Sequence, residues 1–243
     1  MTEDQVIKKL ISTASSEIGY MEKASNKNLD DKTANAGKGN FTKYARDLVN
    51  LIGSPYSQGA AWCDMFVDWC FVKTFGKDNA KKMLGGWSAY TPTSANFYKN
   101  SGRFFKTPSV GDQIFFKNSE RINHTGIVIN VTEDFVYTIE GNSSNKVQNR
   151  SYSLKDKSIA GYGKPNWSVV TTKEEKLDPW PKAMVEGVDI SDVLNPNVFD
   201  VRKYRAAYDD LDSVFGDNWQ MYYYHYKVIG KTEIETKQRP PFM

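Results

Sequence analysis

Residues 60–71 read AAWCDMFVDWCF, and this stretch decides the first part of the fold. It follows a turn-rich segment, GSPYSQGAA, and its apolar positions recur at helical spacing. Five side chains share the predicted face: Cys63, Phe66, Val67, Cys70 and Phe71. The pattern predicts a helix that begins at Cys63. The unpaired N–H groups and positive dipole end of a helix start favour a thiolate, the nucleophilic form of cysteine. Cys70, two turns further along, fits a small buried hydrophobic residue.

Two β-branched runs further along the chain predict a β-hairpin. They are HTGIVINV from His124 and FVYTIEGN from Phe135, separated by a turn-like Thr-Glu-Asp. In such a hairpin, His124 at the start of one strand and Glu140 at the end of the next lie side by side. Asn142 points to the same face as Glu140 while the chain stays extended. A thiol, an imidazole and two groups able to orient it are the minimum set for cysteine-based acyl transfer, so the sequence predicts cleavage of an amide bond.

The prediction depends on the combination of these residues. The chain holds two cysteines and two histidines, and one of each lies in a context that suits chemistry. Taken alone, a cysteine is more often a buried packing residue and a histidine beside a strand is more often structural.

In this order, the three segments resemble the CHAP domain, a papain-like amidohydrolase and peptidase module of peptidoglycan hydrolases. The resemblance covers roughly residues 1–167. It includes VGDQIFFKN at residues 110–118, as the strand before the histidine strand, and AGYGKPNW at residues 160–167, as the closing strand. It implies an α+β fold in which N-terminal helices pack on an antiparallel sheet.

The resemblance also implies roles for individual residues. Cys63 would be the nucleophile, His124 the general base and then acid, and Glu140 and Asn142 the groups that fix the imidazole. Many CHAP domains carry a glutamine directly before the cysteine, but the residues that flank Cys63 here are Trp62 and Asp64, which we expect to line the substrate groove. Gln58 is the nearest glutamine upstream, and it becomes the candidate side-chain donor to the oxyanion, beside the Cys63 N–H.

The implied function is hydrolysis of an amide bond in the bacterial cell wall. The stretch at residues 17–48 looks most like the CHAP endolysins of phages that infect gut Firmicutes. An N-acetylmuramoyl-L-alanine amidase is slightly favoured, and an endopeptidase acting on the stem peptide or cross-bridge is the alternative. A wall-binding protein with a degenerate catalytic domain and an intracellular thiol protease of the same fold remain open.

Composition agrees with this interpretation. The chain has 243 residues and 40% hydrophobic content, enough for one domain and a small module. Over residues 1–170, 22 Lys and Arg stand against 16 Asp and Glu, whereas residues 171–243 are net acidic. A mildly basic catalytic domain suits an anionic cell wall, while nucleic acid would call for denser cationic clusters. No signal peptide or membrane span is visible, so we expect synthesis in the cytoplasm and action on the wall after release.

A boundary is indicated at residues 168–185, where charged residues surround Pro179 and Pro181 and favour an extended linker. Beyond it, residues 186–243 predict a small helical module with an apolar stripe, a stop at Gly216 and a second aromatic helix over about residues 219–228. The module resembles a short repeat of bacterial surface and wall-lytic proteins. We expect it to bind the wall, to pair with a second chain or to dock on its own catalytic domain. His225 is expected to pack against aromatic rings.

No cofactor is predicted. Asn26, Asn28 and Asp30 have the spacing of a calcium loop, but Asp31 and Gly37 replace its glycine and its bidentate glutamate. This excludes an EF-hand and leaves a looser calcium site open. Zinc is not expected, because two isolated histidines and two cysteines on one helix do not form a cluster of ligands. The same cysteine spacing is poorly suited to a disulfide.

Overall fold

The computed structural model describes residues 1–171, 184–190, 193, 199–238 and 240–241. The chain divides into two compact units, Met1–Lys173 and Glu174–Met243. The extended linker predicted around Pro179 and Pro181 lies outside the described residues. Within the described part of the chain, no helix has the length and apolar character needed to cross a membrane.

Helices make up the N-terminal half of the first unit, and threonines begin two of them. The helices are α1 (Glu3–Ser16), α2 (Lys43–Leu51), α3 (Cys63–Phe75), α4 (Lys77–Leu84) and α5 (Thr91–Asn100). Thr2 and Gln5 make the reciprocal hydrogen bonds of a capping box at the start of α1. The Thr42 hydroxyl accepts the Ala45 N–H at the start of α2. Each cap satisfies backbone groups that a helix end leaves without a partner.

The second half of this unit is a six-stranded sheet with the order β1-β6-β2-β3-β4-β5. Its strands are β1 (Phe104–Phe105), β2 (Gln113–Lys117), β3 (Ile122–Val131), β4 (Phe135–Ser143), β5 (Lys146–Ser153) and β6 (Ile159–Gly163). All neighbours are antiparallel. The predicted hairpin is confirmed by the pairing of β3 with β4, in which Ile127 lies opposite Ile139. The α+β class, with N-terminal helices and an antiparallel sheet, is confirmed as well.

Side chains alternate between the two faces of the sheet and so contribute to two apolar cores. Phe115, Ile127 and Ile139 belong to the core shared with the helices. Phe116 and Val128, on neighbouring residues of the same strands, belong to a second cluster with Ile114, Val136 and Tyr162. The central strands are therefore buried on both faces, which fixes their register.

Helix α3 is the central element of the first unit. The sequence predicts one buried face, but every residue from Cys63 to Phe71 is buried. Helices α1, α2 and α4 pack against α3, and so do strands β3 and β4. A helix enclosed in this way must be apolar all round, and its two aspartates require internal hydrogen-bond partners.

The second unit has short helices and one two-stranded sheet among its described residues. They are β7 (Met184–Val185), β8 (Val188–Asp189), α6 (Val201–Ala207), α7 (Asp209–Phe215), α8 (Trp219–His225), a π-helical turn (Tyr226–Gly230) and α9 (Lys231–Glu235). The predicted apolar stripe is buried, including Tyr204, Tyr208 and Leu211. The prediction of one continuous helix before Gly216 is wrong, because the backbone leaves helical geometry at Tyr208. Three aspartates in the first turn of α7 favour a new helix start there.

Aromatic side chains fill the core of this second unit, and His225 packs against two of their rings. The His225 Nδ1 atom lies 2.9 Å from the Tyr204 hydroxyl, and its ring packs near Phe215. The predicted packing of His225 against aromatic rings is confirmed. Gly230 completes this arrangement, because a Cβ atom there would overlap the Tyr204 hydroxyl.

Candidate active site

Cys63 is the first residue of α3, and its side chain is 6% exposed. Trp62 precedes the helix and provides no side-chain cap. The first N–H groups of α3 therefore have no side-chain acceptor at this cap, and they lie at the same helix end as Cys63. Cys70 lies two turns further along the helix and is fully buried. Burial raises the pKa of the Cys70 thiol, which keeps it in the protonated, unreactive form.

His124 lies near the start of β3, binds Glu140 and interacts with Cys63. Burial by itself lowers the pKa of His124, but hydrogen bonds and charge interactions with Cys63 and Glu140 outweigh this and raise it to about 10. The imidazole ring also packs on Phe116, with ring centroids 5.8 Å apart. Phe116 is the residue directly opposite His124 in the pairing of β2 with β3. The histidine is thus held on two sides, and its charged form is stabilised.

Glu140 is fully buried and binds the imidazole directly. Its Oε2 atom lies 2.8 Å from His124 Nε2. Two further donors fix the carboxylate, because the Thr138 hydroxyl donates to Oε1 at 2.6 Å and the Tyr152 hydroxyl donates to Oε2 at 3.2 Å. The predicted contact between His124 and Glu140 is confirmed. With Nε2 bound to Glu140, the other ring nitrogen remains for the contact with Cys63.

The strand requires a glycine at position 126, two residues after His124. A Cβ atom at position 126 would lie 2.5 Å from Glu140 Cγ and 3.0 Å from the Ile139 carbonyl oxygen. The absent side chain provides the space that Glu140 occupies on its way to His124. The glycine of the His-x-Gly pattern is therefore needed for Glu140 to reach His124.

Gly141 has the corresponding role between the sheet and α3. A Cβ atom there would collide with Phe66 and would lie 2.9 Å from a ring atom of Trp62. The glycine lets β4 approach the first turns of α3 closely. This approach brings the strand that carries Glu140 towards the helix that carries Cys63.

Asn142 differs from its predicted geometry. The prediction assumed an extended chain, but Asn142 has φ 55°, and the pairing of β4 with β5 shifts register between Glu140 and Ser143. A β-bulge of this kind redirects the side chains within it, so the two-residue periodicity fails. Among the described residues, no hydrogen bond joins the half-buried Asn142 side chain to His124. Its predicted role in fixing the imidazole stays a prediction.

The predicted groove residues Trp62 and Asp64 are both fully buried, and this is a correction to the sequence analysis. The Trp62 indole N–H donates to Glu22 at 2.8 Å. Its ring stacks on Tyr44 inside the core. The residues that flank Cys63 are buried because α3 is enclosed on all sides. They support the nucleophile from within the core and do not line a groove.

Gln58 pairs with a backbone segment. Its side-chain Oε1 accepts the Thr42 N–H at 2.9 Å, and its Nε2 donates to the Thr42 carbonyl oxygen at 2.8 Å. One of its two N–H groups is therefore used to hold the start of α2. The role of Gln58 as an oxyanion donor stays a prediction that depends on the other N–H.

A buried polar network begins at Asp64, directly after Cys63. Asp64 accepts hydrogen bonds from Ser94 at 2.6 Å and from Gln113 at 3.1 Å. Gln113 donates in turn to Thr125, the neighbour of His124, at 3.0 Å. Burial raises the pKa of Asp64 to about 7, although both hydrogen bonds act against the shift. The network connects the residue after the thiol to the residue after the imidazole through a single glutamine.

Asp68 lies one helical turn beyond Asp64 and is also buried. Burial and the charge of Asp64 raise its pKa well above the usual value. Tyr56 donates a hydrogen bond to Asp68. Two carboxyl groups on one buried helix cannot both ionise readily, so the protonated form is favoured within the pair.

Three residues of the site were not predicted from the sequence: Thr138, Tyr152 and Gly126. Thr138 precedes Glu140 by two residues on β4, so strand periodicity placed it on the correct face. Tyr152 comes from β5, whose polar sequence gives no strand signal, and its contact with Glu140 depends on the register of that strand. Gly126 is a close-approach glycine within a strand, a recognised signal for tight packing.

The stretch at residues 26–31, where a loose calcium site was left open, uses its carboxylates for structural contacts. Asp30 accepts two hydrogen bonds from Arg46, at 2.8 and 2.7 Å. Asp31 accepts the backbone N–H groups of Thr33 and Ala34, both at 2.8 Å. Across the described residues, no group of three or more His, Cys, Asp or Glu side chains is arranged to hold a metal ion.

Residues 55–142 match the family model of the CHAP domain. The matched segment is roughly a third of the chain and contains Cys63, His124, Glu140 and Asn142. CHAP domains are typically cysteine-dependent hydrolases of peptidoglycan, and the match supports this class of enzyme for the chain. No curated protein matches the sequence.

Proposed function

We propose that this protein is an endolysin that hydrolyses an amide bond of peptidoglycan with Cys63 as its nucleophile. The observation that carries the proposal is the contact of Cys63 at a helix start with His124, which is itself bonded to buried Glu140. This arrangement lies within the segment that matches the CHAP domain. It supplies a thiol, a base and an orienting carboxylate in one place.

Before the substrate binds, the proton of the Cys63 thiol has passed to His124, and in the first step the sulfur attacks the carbonyl carbon of the amide. A carbon–sulfur bond forms, and the carbonyl oxygen becomes an oxyanion. The Cys63 N–H lies at the helix start and donates to this oxyanion. The imidazolium that forms is stabilised by Glu140, in keeping with the raised pKa of His124, about 10.

In the second step, His124 gives its proton to the leaving nitrogen and the carbon–nitrogen bond breaks. The amine departs and leaves a thioester on Cys63. A water molecule then loses a proton to His124 and attacks the thioester carbon. The product carboxylate is released and the Cys63 thiol is restored, so His124 acts first as base and then as acid in each half-reaction.

Glu140 orients the imidazole and does not exchange protons with the substrate. Thr138 and Tyr152 both donate to Glu140, and His124 binds the Oε2 atom. These hydrogen bonds hold both carboxylate oxygens in place, so the acceptor that faces the imidazolium is fixed. They act on catalysis through the position of His124.

The bond we favour is the lactyl amide between muramic acid and L-alanine, with a stem-peptide or cross-bridge bond as the alternative. The test is mass spectrometry of muropeptides released from Firmicute cell walls by the wild-type chain and by Cys63→Ala. We expect new free amines from the wild type and none from the variant, and the fragment masses identify the bond. Equal release by both, or by neither, would contradict the proposal. Casein digested as fast as walls would favour a general thiol protease.

We also propose that the second unit binds the cell wall. It has its own aromatic core and a surface cavity of about 270 Å³ lined in part by Arg202, Arg205 and Trp219. Aromatic rings and planar polar groups together suit contacts with sugars and peptides. The test is co-sedimentation of Cys63→Ala with walls, compared with the same chain carrying Trp219→Ala. Equal sedimentation of both would contradict a role for this cavity.

A further inference from the structure

We propose that Tyr90 and Arg121 form a subsite for a carboxylate of the substrate, beside Cys63 and His124. The Arg121 guanidinium lies over the Tyr90 ring, 5.1 Å from its centroid. Both side chains are exposed, and half of the Tyr90 surface is open to solvent, 50%. This inference rests on the proposed function, because it names the part of the wall peptide that the same site recognises.

Hydrogen bonds tie the start of α5 to both sides of the candidate active site. Thr91, the residue after Tyr90, donates its hydroxyl to the Ile122 carbonyl oxygen at 3.1 Å, near the start of the strand of His124. Ser94, one helical turn further, donates to Asp64 at 2.6 Å, directly after Cys63. Tyr90 therefore lies close to the element that carries the base and to the element that carries the nucleophile.

Arg121 belongs to the segment before β3, and its guanidinium approaches the Tyr90 ring from the sheet. It directly precedes β3, and His124 follows it by three residues. An extended chain advances about 3.3 Å per residue, so the two α-carbons are separated by roughly 10 Å at most. That distance corresponds to two or three residues of a bound peptide. A group bound by Arg121 would therefore lie a short way along the stem from the scissile bond.

The chemistry of Arg121 favours a carboxylate ligand. Arg46 and Arg205 are paired with aspartates, for example Arg46 with Asp30 at 2.7 Å. Within the described residues, the Arg121 guanidinium makes no hydrogen bond or ion pair with a carboxylate. A guanidinium presents a planar fork that matches a carboxylate, and stacking on an aromatic ring fixes that plane in advance. Stem peptides of the cell wall carry free carboxylates, which fit this fork.

The test uses a soluble muropeptide prepared with either a free α-carboxylate or a carboxamide on the second stem residue. For the wild type, we expect a KM about 10- to 100-fold lower for the carboxylate form, the range expected of a charge-assisted hydrogen bond. Arg121→Gln should raise the KM for the carboxylate form to the carboxamide value, and Arg121→Lys should retain part of the difference. Lys99→Gln is the matched control, because Lys99 is an exposed cation over the Phe104 ring at the other end of α5.

The outcomes separate this inference from the proposed function. Cleavage with the same KM for both peptides, or an unchanged difference in Arg121→Gln, would overturn the subsite and leave the hydrolase intact. If the wild type cleaves neither peptide, calorimetric titration of Cys63→Ala with both peptides replaces the rate measurement. Carboxylate-dependent binding that Arg121→Gln removes would then support the subsite alone, and binding without that dependence would overturn both.

Discussion

Replacing Gly126 with alanine perturbs the candidate site without removing any of its polar groups. The new Cβ atom would lie 2.5 Å from Glu140 Cγ. Carbon atoms pack at about 3.5 to 4.0 Å, so Glu140 has to move by roughly 1 Å. A shift of this size would stretch the 2.8 Å contact between Glu140 and His124 beyond hydrogen-bonding distance.

The magnitude of the effect follows from the contact that is lost. A hydrogen bond between charged groups contributes about 1.5 to 3 kcal/mol. If the hydrogen bond stabilises the transition state by this free energy, kcat/KM falls by roughly 10- to 150-fold in Gly126→Ala. The pKa of His124 should also fall from about 10, because its contact with Glu140 is one of the interactions that raise it.

The assay is the initial rate of amine release from soluble muropeptides, measured in two backgrounds. In the wild-type background, Gly126→Ala should show the full loss. In a Glu140→Ala background, the Cγ atom that causes the collision is gone, so Gly126→Ala should cost little more. Thermal unfolding of all four chains separates a general loss of stability from a local one.

Two results would refute this reasoning. One is wild-type kcat/KM in Gly126→Ala, which would mean that Glu140 can remain on His124 despite the added methyl group. The other is an equal loss in both backgrounds, which would mean that the alanine acts on the strand itself and not through Glu140.

Further predictions concern the same site, the buried network and the second unit. Tyr152→Phe removes one donor to Glu140 and should lower kcat about 3- to 10-fold, the size of one hydrogen bond, with KM unchanged in steady-state kinetics. Glu140→Gln should shift the alkaline limit of kcat/KM to lower pH, because the carboxylate helps hold the pKa of His124 at about 10; an unshifted pH–rate profile would contradict this. The folded-state pKa of Asp64 is about 7, against an ordinary value of 3.8, so the folded chain binds a proton more tightly than the unfolded chain. The free energy of unfolding that this proton contributes is lost as pH rises from about 4 to 7. Asp64→Asn should flatten that slope in urea unfolding, and an identical slope in both chains would argue against it. Gly230→Ala should destabilise the second unit by about 1 to 3 kcal/mol through overpacking, visible in its thermal unfolding, while cleavage of soluble muropeptides stays unchanged.

The parts of the fold that could be predicted from sequence are those with strong local patterns. The hairpin of β3 and β4 followed from two β-branched runs, and its register brought His124 to Glu140 as expected. Strand β5 could not be predicted, because an edge strand such as Lys146–Ser153 is mostly polar. Its contribution to the site, Tyr152, was therefore missed with it.

The surroundings of Cys63 depend on packing that no local pattern records. Trp62 and Asp64 looked exposed because they flank a reactive residue, yet α3 is enclosed by three helices and two strands. The predicted direction of the Asn142 side chain failed for a different reason, since its positive φ belongs to a bulge that interrupts the periodicity of β4. Sequence periodicity therefore predicts regular segments, whereas buried polar contacts and bulges are set by the tertiary structure.

The two cysteines of α3 have a practical consequence for counting functional molecules. Both are free thiols, but Cys70 is fully buried and its pKa is raised by burial, while Cys63 is 6% exposed and lies at the helix start beside an imidazole. A small alkylating reagent applied to the native protein should therefore react once per chain. The amount of label incorporated would then measure the concentration of competent enzyme in any preparation, without a substrate and without knowledge of the bond that is cut.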